Sequence, residues 1–352
     1  MKISSALVAL AVVVGGVLVG SPAAADNPGF GLVAGVGSGH TQGAMEAVGR
    51  ATEPLITSYA PTGSATIKTK AVGCVFPRPQ SANEGVQALR ASEGEDIGQG
   101  PGVFKGANVL GCVDFARVIT PAAGPAYTAV PLGVSAVTIA INNNGDLPTN
   151  WSMAQAQRIY KCFDTTIAGS PVQPRQLQPG ADVWSFWLSR MQITTTEIAL
   201  GDYPCLTALP PVGENDGTVL NGRLGDVVPF AIEAYIAQTN SAVIIASSGI
   251  SMIDQRGPAR LVGIRLQGAS VQSPIVGGVL NAAFPFRRDV YNLVPTGALG
   301  ESPTVAAFVG TGSATCAATA VVNGNSRRVI ELFGFGYRPT TMNPLDRGCG
   351  AV

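Results

Sequence analysis

The chain has 352 residues, 46% of them hydrophobic and 12% charged, with 22 acidic and 22 basic side chains and a single His. Disorder calls for low hydrophobicity and high net charge, so this composition excludes it. A charged fraction near half of the roughly 25% usual in globular domains, with no basic excess, leaves no electrostatic footprint for nucleic acid.

Residues 1–25 read as a secretory signal: Lys2 near the start, an apolar run over 6–20, and Ala23-Ala24-Ala25 ahead of the polar Asp26. The run is shorter than the roughly 20 residues of a spanning helix. Cleavage is expected after Ala25, with an uncleaved anchor as the alternative. No Cys stands near the cleavage point, so the expected product is secreted, extracellular or cell-wall associated without a lipid anchor.

In the mature part, residues 30–36 form an apolar run, then comes Gly37-Ser38-Gly39-His40-Thr41, then Ala44, Met45, Ala47, Val48 and Ala51 at helical spacing. A strand, a Gly-rich loop and a helix start place backbone N–H groups around one concavity, which suits an anion or polar ligand. A tight turn that needs Gly is the alternative. His40 stands where the dinucleotide fingerprint has its third Gly, and no Gly-Lys-Ser/Thr follows.

Further helices are expected from Ser81, with Glu84 completing a capping box, from Ser152 with Gln155, and from near Pro229 to about Gln238. Apolar runs at 134–141, 243–246, 261–266 and 329–335 read as strands. Strands alternating with helices predict an α/β architecture with largely parallel sheets, and the length suits two domains or two lobes.

Chemistry is sparse. A nucleophilic Ser needs a base, yet His40 is the sole His and no Gly-x-Ser-x-Gly elbow occurs, so His40 reads as a solvated or turn residue. Glu93, Glu95 and Asp96 read as a solvated acidic face. Enzymatic function is therefore not expected. Glu214-Asn215-Asp216-Gly217-Thr218 and the segment 180–187, with Trp184 and Trp187, are ligand-loop candidates; a plain turn and an aromatic core cluster are their alternatives.

Six Cys in an exported chain imply three disulfides. Many connectivities are open, and consecutive pairing, Cys74 with Cys112, Cys162 with Cys205 and Cys316 with Cys349, keeps each loop within one region. None of the spacings approaches Cys-x-x-Cys and His40 is far from every Cys in sequence, so no metal or other cofactor is expected.

Taken in order, several segments resemble the phosphate-type solute-binding proteins of ABC transporters, in particular their secreted actinobacterial branch. They are Gly37 to Gln42, Asp114-Phe115-Ala116-Arg117, Val130-Pro131-Leu132-Gly133, the stretch 154–160, Ser185-Phe186-Trp187-Leu188, Glu214 to Thr218 and Arg288-Asp289-Val290-Tyr291-Asn292. The resemblance implies a two-lobed type 2 periplasmic-binding-protein fold with a ligand cleft between lobes joined by two crossing strands. One lobe would hold 26–140 and 246–352, the other 141–245.

Carried over, the cleft would be lined by Ser38, Thr41, Gln42, Ser81, Asn83, Arg117, Asp182 and Ser185. The chain departs from the family at several of these. Gln42 stands where an aromatic is usual, and Ser81-Ala82-Asn83 replaces a Ser pair. Arg117-Val118-Ile119 stands where small polar residues and a proton-accepting Asp belong. Ala181-Asp182-Val183 matches a Ser-Gly-Thr anion loop, and Leu177 an Arg, with Arg175 the nearest cation.

The implied function is secreted solute binding, of a small polar or anionic ligand other than phosphate, with a membrane ABC permease or another cell-surface protein as partner. The alternative is an extracellular interaction protein using the same fold without transport.

Overall fold

In this computed structural model, residues 29–121, 124–338 and 347–352 are described. The expected signal sequence lies outside them. Strand β1 (Val33–Gly37) leads into helix α1 (Gln42–Ala51), followed by β2 (Ile56–Ser58), α2 (Ala82–Ser92), β3 (Phe115–Val118) and the 16-residue β4 (Tyr127–Asn142). Then come α3 (Met153–Tyr160), β5 (Gln173–Pro174), α4 (Asp182–Met191), β6 (Asp226–Ala231), α5 (Ile232–Thr239), α6 (Ser241–Ser248), β7 (Ala259–Leu261) and β8 (Arg287–Pro295).

Eight strands form one sheet in the order β5-β6-β4-β8-β3-β1-β2, with β7 also on β4. It is mixed, where a largely parallel sheet was expected. β1 is parallel to β2 and β3, but β4 runs antiparallel to β6, β7 and β8. The reason is β4: residues 127–136 pair with β8 and 137–141 pair with β6, so one long strand serves two halves of the sheet.

Side chains on the two halves of this α/β sheet bury separate cores. Trp151, Tyr160, Trp187, Phe230 and Phe286 centre one cluster. Met45, Phe115, Phe308 and Phe333 centre a second, and Phe76, Leu89 and Phe104 a third on the same half as the second. The first cluster also takes in Ala259, Val262, Ile264, Leu280 and Phe284 from the stretch 246–352. The chain crosses between the halves on β4, passes to the Met45 core between Ile236 and Ala237 and back between Ile250 and Ala259, and crosses again at Phe286–Arg287, whose neighbours across the ladder are Val137 and Ala136.

Several local expectations meet tertiary context. Ser152 and Gln155 form the full capping box at α3. Ser81 caps α2 through the Glu84 N–H, but the Glu84 carboxylate turns to the Gln80 N–H instead of closing the box. Pro229 does not open a helix; it lies inside β6, opposite Ile139, and α5 begins at Ile232. The runs 243–246 and 329–335 hold helices, Ser241–Ser248 and Val329–Leu332, because a short apolar run does not distinguish a buried helix from a strand.

The disulfides pair consecutively, Cys74–Cys112, Cys162–Cys205 and Cys316–Cys349. The loops they close span 38, 43 and 33 positions, and loss of each is expected to cost about 2–5 kcal/mol. Titration of the unfolded, unreduced protein is expected to find no thiol; two or more reactive thiols would contradict the pairing.

Candidate functional site

A cleft of about 510 Å3 opens between the two halves of the sheet. From one side it is lined by Ser38, Gly39 and His40 after β1, by Gln80 and Ser81 before α2, and by Phe333 and Phe335. From the other come Gly180 and Asp182 at the start of α4, Glu214 and Asn215, and Glu233 and Gln238 on α5.

The loop after β1 owes its shape to close backbone approach. Gly37 has φ +116°, and a Cβ there would lie 2.5 Å from the Arg117 carbonyl oxygen. Gly85 of α2 packs on Gly37 so closely that a Cβ would sit 2.5 Å from its Cα. Only glycine at both positions lets α2 reach the loop and bring Ser81 to the cleft rim.

His40 is not a solvated turn residue, as sequence alone suggested. Its side chain is 6% exposed, and Nε2 lies 2.8 Å from Glu233 Oε1 and 3.1 Å from Ser135 Oγ. Ser135 donates to the same Glu233 oxygen at 3.0 Å, and the Ala136 N–H donates to the other at 3.1 Å. Phe335 stands edge-on to the imidazole at 5.8 Å. Burial pushes the Glu233 carboxyl upward, but the charge and hydrogen bond of His40 and the N–H groups of Glu233 and Ala136 outweigh it, leaving the group below its ordinary value. This buried cluster sits where β4 passes from one half of the sheet to the other.

Glu214 behaves oppositely. Burial raises its carboxyl above the ordinary range and Asp182 adds to the rise, against the charges of His40 and Arg288 and the Val183 N–H. Arg288 stacks its guanidinium 4.7 Å from the Phe186 ring, and its Nε and Nη2 are buried without hydrogen-bond partners. Burial lowers the Arg288 pKa, while Glu233, Asp182 and Glu214 oppose that shift.

Of the eight residues expected at the site, Ser38, Ser81 and Asp182 line the cleft. The remaining five are elsewhere. Thr41 is 1% exposed, with its hydroxyl unpartnered and away from the lining. Gln42 is buried and donates to the Ser58 carbonyl at 3.2 Å. Asn83 is exposed on α2. Ser185 faces a separate groove with Trp184 and donates to the Asp182 carbonyl at 3.1 Å.

Arg117 is not a ligand contact either. It is wholly buried and donates to the carbonyls of Ser38 at 3.0 Å, Gly37 at 3.1 Å and Tyr59 at 2.8 Å, and to the Ser58 hydroxyl. Its role is to hold the loop that carries Ser38 and His40. Burial pushes its pKa down to about 9, against the charge of Glu46, so it remains a cation at neutral pH.

Sequence reasoning missed Ser135, Glu233 and Gln238. A signal for Glu233 was present: one carboxylate directly after the apolar run 227–232, in a chain that is only 12% charged. Among the described residues no group of three or more His, Cys, Asp or Glu could hold a metal ion.

No protein-family model and no curated protein matches the chain. Solved structures of similar fold include an ABC-type phosphate transport receptor from Vibrio cholerae, at 13% identity and TM-score 0.45, covering 75% of this chain and 87% of that one. A phosphate-binding protein from Stenotrophomonas maltophilia is 14% identical with TM-score 0.41, covering 88% and 90%. The regulatory domain of MetR, a LysR family regulator from N. meningitidis, is 10% identical with TM-score 0.39, covering 86% and 93%.

Proposed function

We propose that this protein is a secreted solute-binding protein that takes a small polar ligand between its two lobes and delivers it to a membrane ABC permease. Export would follow cleavage near Ala25. The second lobe is proposed to comprise 141–236 together with 259–286, whose buried side chains share the Trp187 core, and the first lobe the rest, which takes Ala237 and Ile244 into the Met45 core.

The observation that carries the reading is the cleft of about 510 Å3 with lining from both halves of the sheet. That volume falls in the range of small-molecule sites, and a ligand in it would touch both lobes at once. A thermal-shift screen of sugars, amines, amino acids and oxyanions, followed by calorimetry of the hits, tests it. At least one saturable small-molecule ligand is expected. A screen without any would overturn the proposal.

Phosphate is not that ligand. Its recognition needs converging donors and positive potential, whereas Asp182, Glu214 and Glu233 line the cleft and no Lys or Arg among the described residues does. Each missing charge-assisted contact is worth roughly 1.5–3 kcal/mol, so binding no tighter than about millimolar is expected. Micromolar phosphate binding by calorimetry would contradict this.

A further inference from the structure

Building on the solute-binding reading, we infer that the ligand of the cleft is a small organic ammonium compound that also carries hydroxyl or ether oxygens. The lining decides the charge. Among the described residues, its ionisable side chains are the acidic Asp182, Glu214 and Glu233 and the basic His40. His40 and Glu233 satisfy each other at 2.8 Å, which leaves Asp182 and Glu214 facing the cavity. Glu214 feels the charges of His40 and Arg288, but neither forms an ion pair with it among the described residues. Arg288 is directed onto Phe186 and does not line the cleft.

An ammonium group placed between Asp182 and Glu214 would relieve their mutual repulsion and offer a donor to each. The opposite wall carries the rings of Phe333 and Phe335. Such aromatic side chains in a lining tolerate a cation and suit the apolar part of a compact ring.

Ser38 points to the oxygens independently of the carboxylates. It is 2% exposed and lines the cleft, and its hydroxyl oxygen accepts the His40 N–H at 3.1 Å. Its own O–H meets no acceptor among the described residues. A buried hydroxyl proton without an acceptor is costly, and a ligand oxygen would satisfy it. Gln80, Ser81, Asn215 and Gln238 add neutral polar groups to the rim.

The test uses matched probes on the mature protein: glucosamine against glucose, which differ by an ammonium in place of a hydroxyl, with putrescine and inorganic phosphate alongside. Glucosamine is expected to bind at least about tenfold tighter than glucose, and Asp182→Asn and Glu214→Gln each to weaken it roughly 10- to 100-fold. Wild-type affinity should fall as pH drops through the raised Glu214 pKa, and Glu214→Gln should flatten that limb. Circular dichroism and melting of both variants show whether they remain folded.

Glucose binding as well as glucosamine, or amine binding unmoved in both folded variants, would overturn the inference while leaving solute binding intact. If none of the four probes binds, the ammonium inference fails; the wider solute screen then decides separately whether the solute-binding reading fails too.

Discussion

Replacing Arg117 with Met is expected to destabilise the protein by at least about 3–5 kcal/mol, seen as a lower urea midpoint, and to leave little folded protein at 37 °C. The side chain is fully buried and its guanidinium is solvated by protein carbonyls in place of water. Methionine fills similar volume but strands those acceptors, each at roughly 1–3 kcal/mol. Arg117→Lys keeps the charge and still loses the planar fork that reaches Ser38 on one side and Tyr59 on the other, so it should be nearly as damaging. A ligand-contacting Arg would behave differently: the Lys variant would keep its stability and lose only affinity. A change below about 1 kcal/mol for Arg117→Met would show that the scaffold role is misassigned.

Arg117 also marks where sequence reading stops. The family resemblance placed Arg117 in the cleft, whereas an arginine in a buried strand such as β3 can serve instead as an internal scaffold. The choice depends on which carbonyls the fold places around it, and these come from Ser38 and Tyr59, far away in the chain. Local rules worked where the cause is local. The Ser152 and Gln155 cap lies within one helical turn, and the disulfide pairing follows from an even Cys count and loop economy.

Local rules gave way where a partner decides. Pro229 suits a first helical turn, yet pairing with β4 holds it in a strand. The run at 243–246 is apolar enough for either element, and packing of Ile244 into the core around Met45 and Phe333 accompanies the helix. At the site, the Gly-rich loop and Asp182 were legible, while the His40–Glu233 contact was not, because it joins the loop after β1 to the start of α5.

Breaking that contact from either side is the second large effect. In His40→Ala, Glu233 stays fully buried with one Ser hydroxyl and the N–H groups of Glu233 and Ala136 to stabilise its charge, and the loss is expected to reach about 3–5 kcal/mol at neutral pH. Glu233→Gln removes the charge but keeps the shape, so it should cost less, about 1.5–3 kcal/mol. A double-mutant cycle with His40→Ala and Glu233→Gln should show coupling, because each change removes the same interaction; strict additivity would mean that the 2.8 Å contact contributes nothing.

The pH dependence supplies an independent sign. The folded Glu233 carboxyl lies below its ordinary value, so the unfolded chain binds the proton more tightly, and this residue's contribution is fully present above the unfolded pKa near 4.5. It is lost as the pH falls through the lower folded value. Urea midpoints measured between pH 3 and 6 should therefore fall less steeply in Glu233→Gln than in the wild type. Because His40 and Glu233 sit where β4 links the two cores, the same acid limb should accompany loosening of one half of the sheet against the other, detectable as faster amide exchange at Ser135–Val137. An unchanged acid slope in the variant would contradict the assignment.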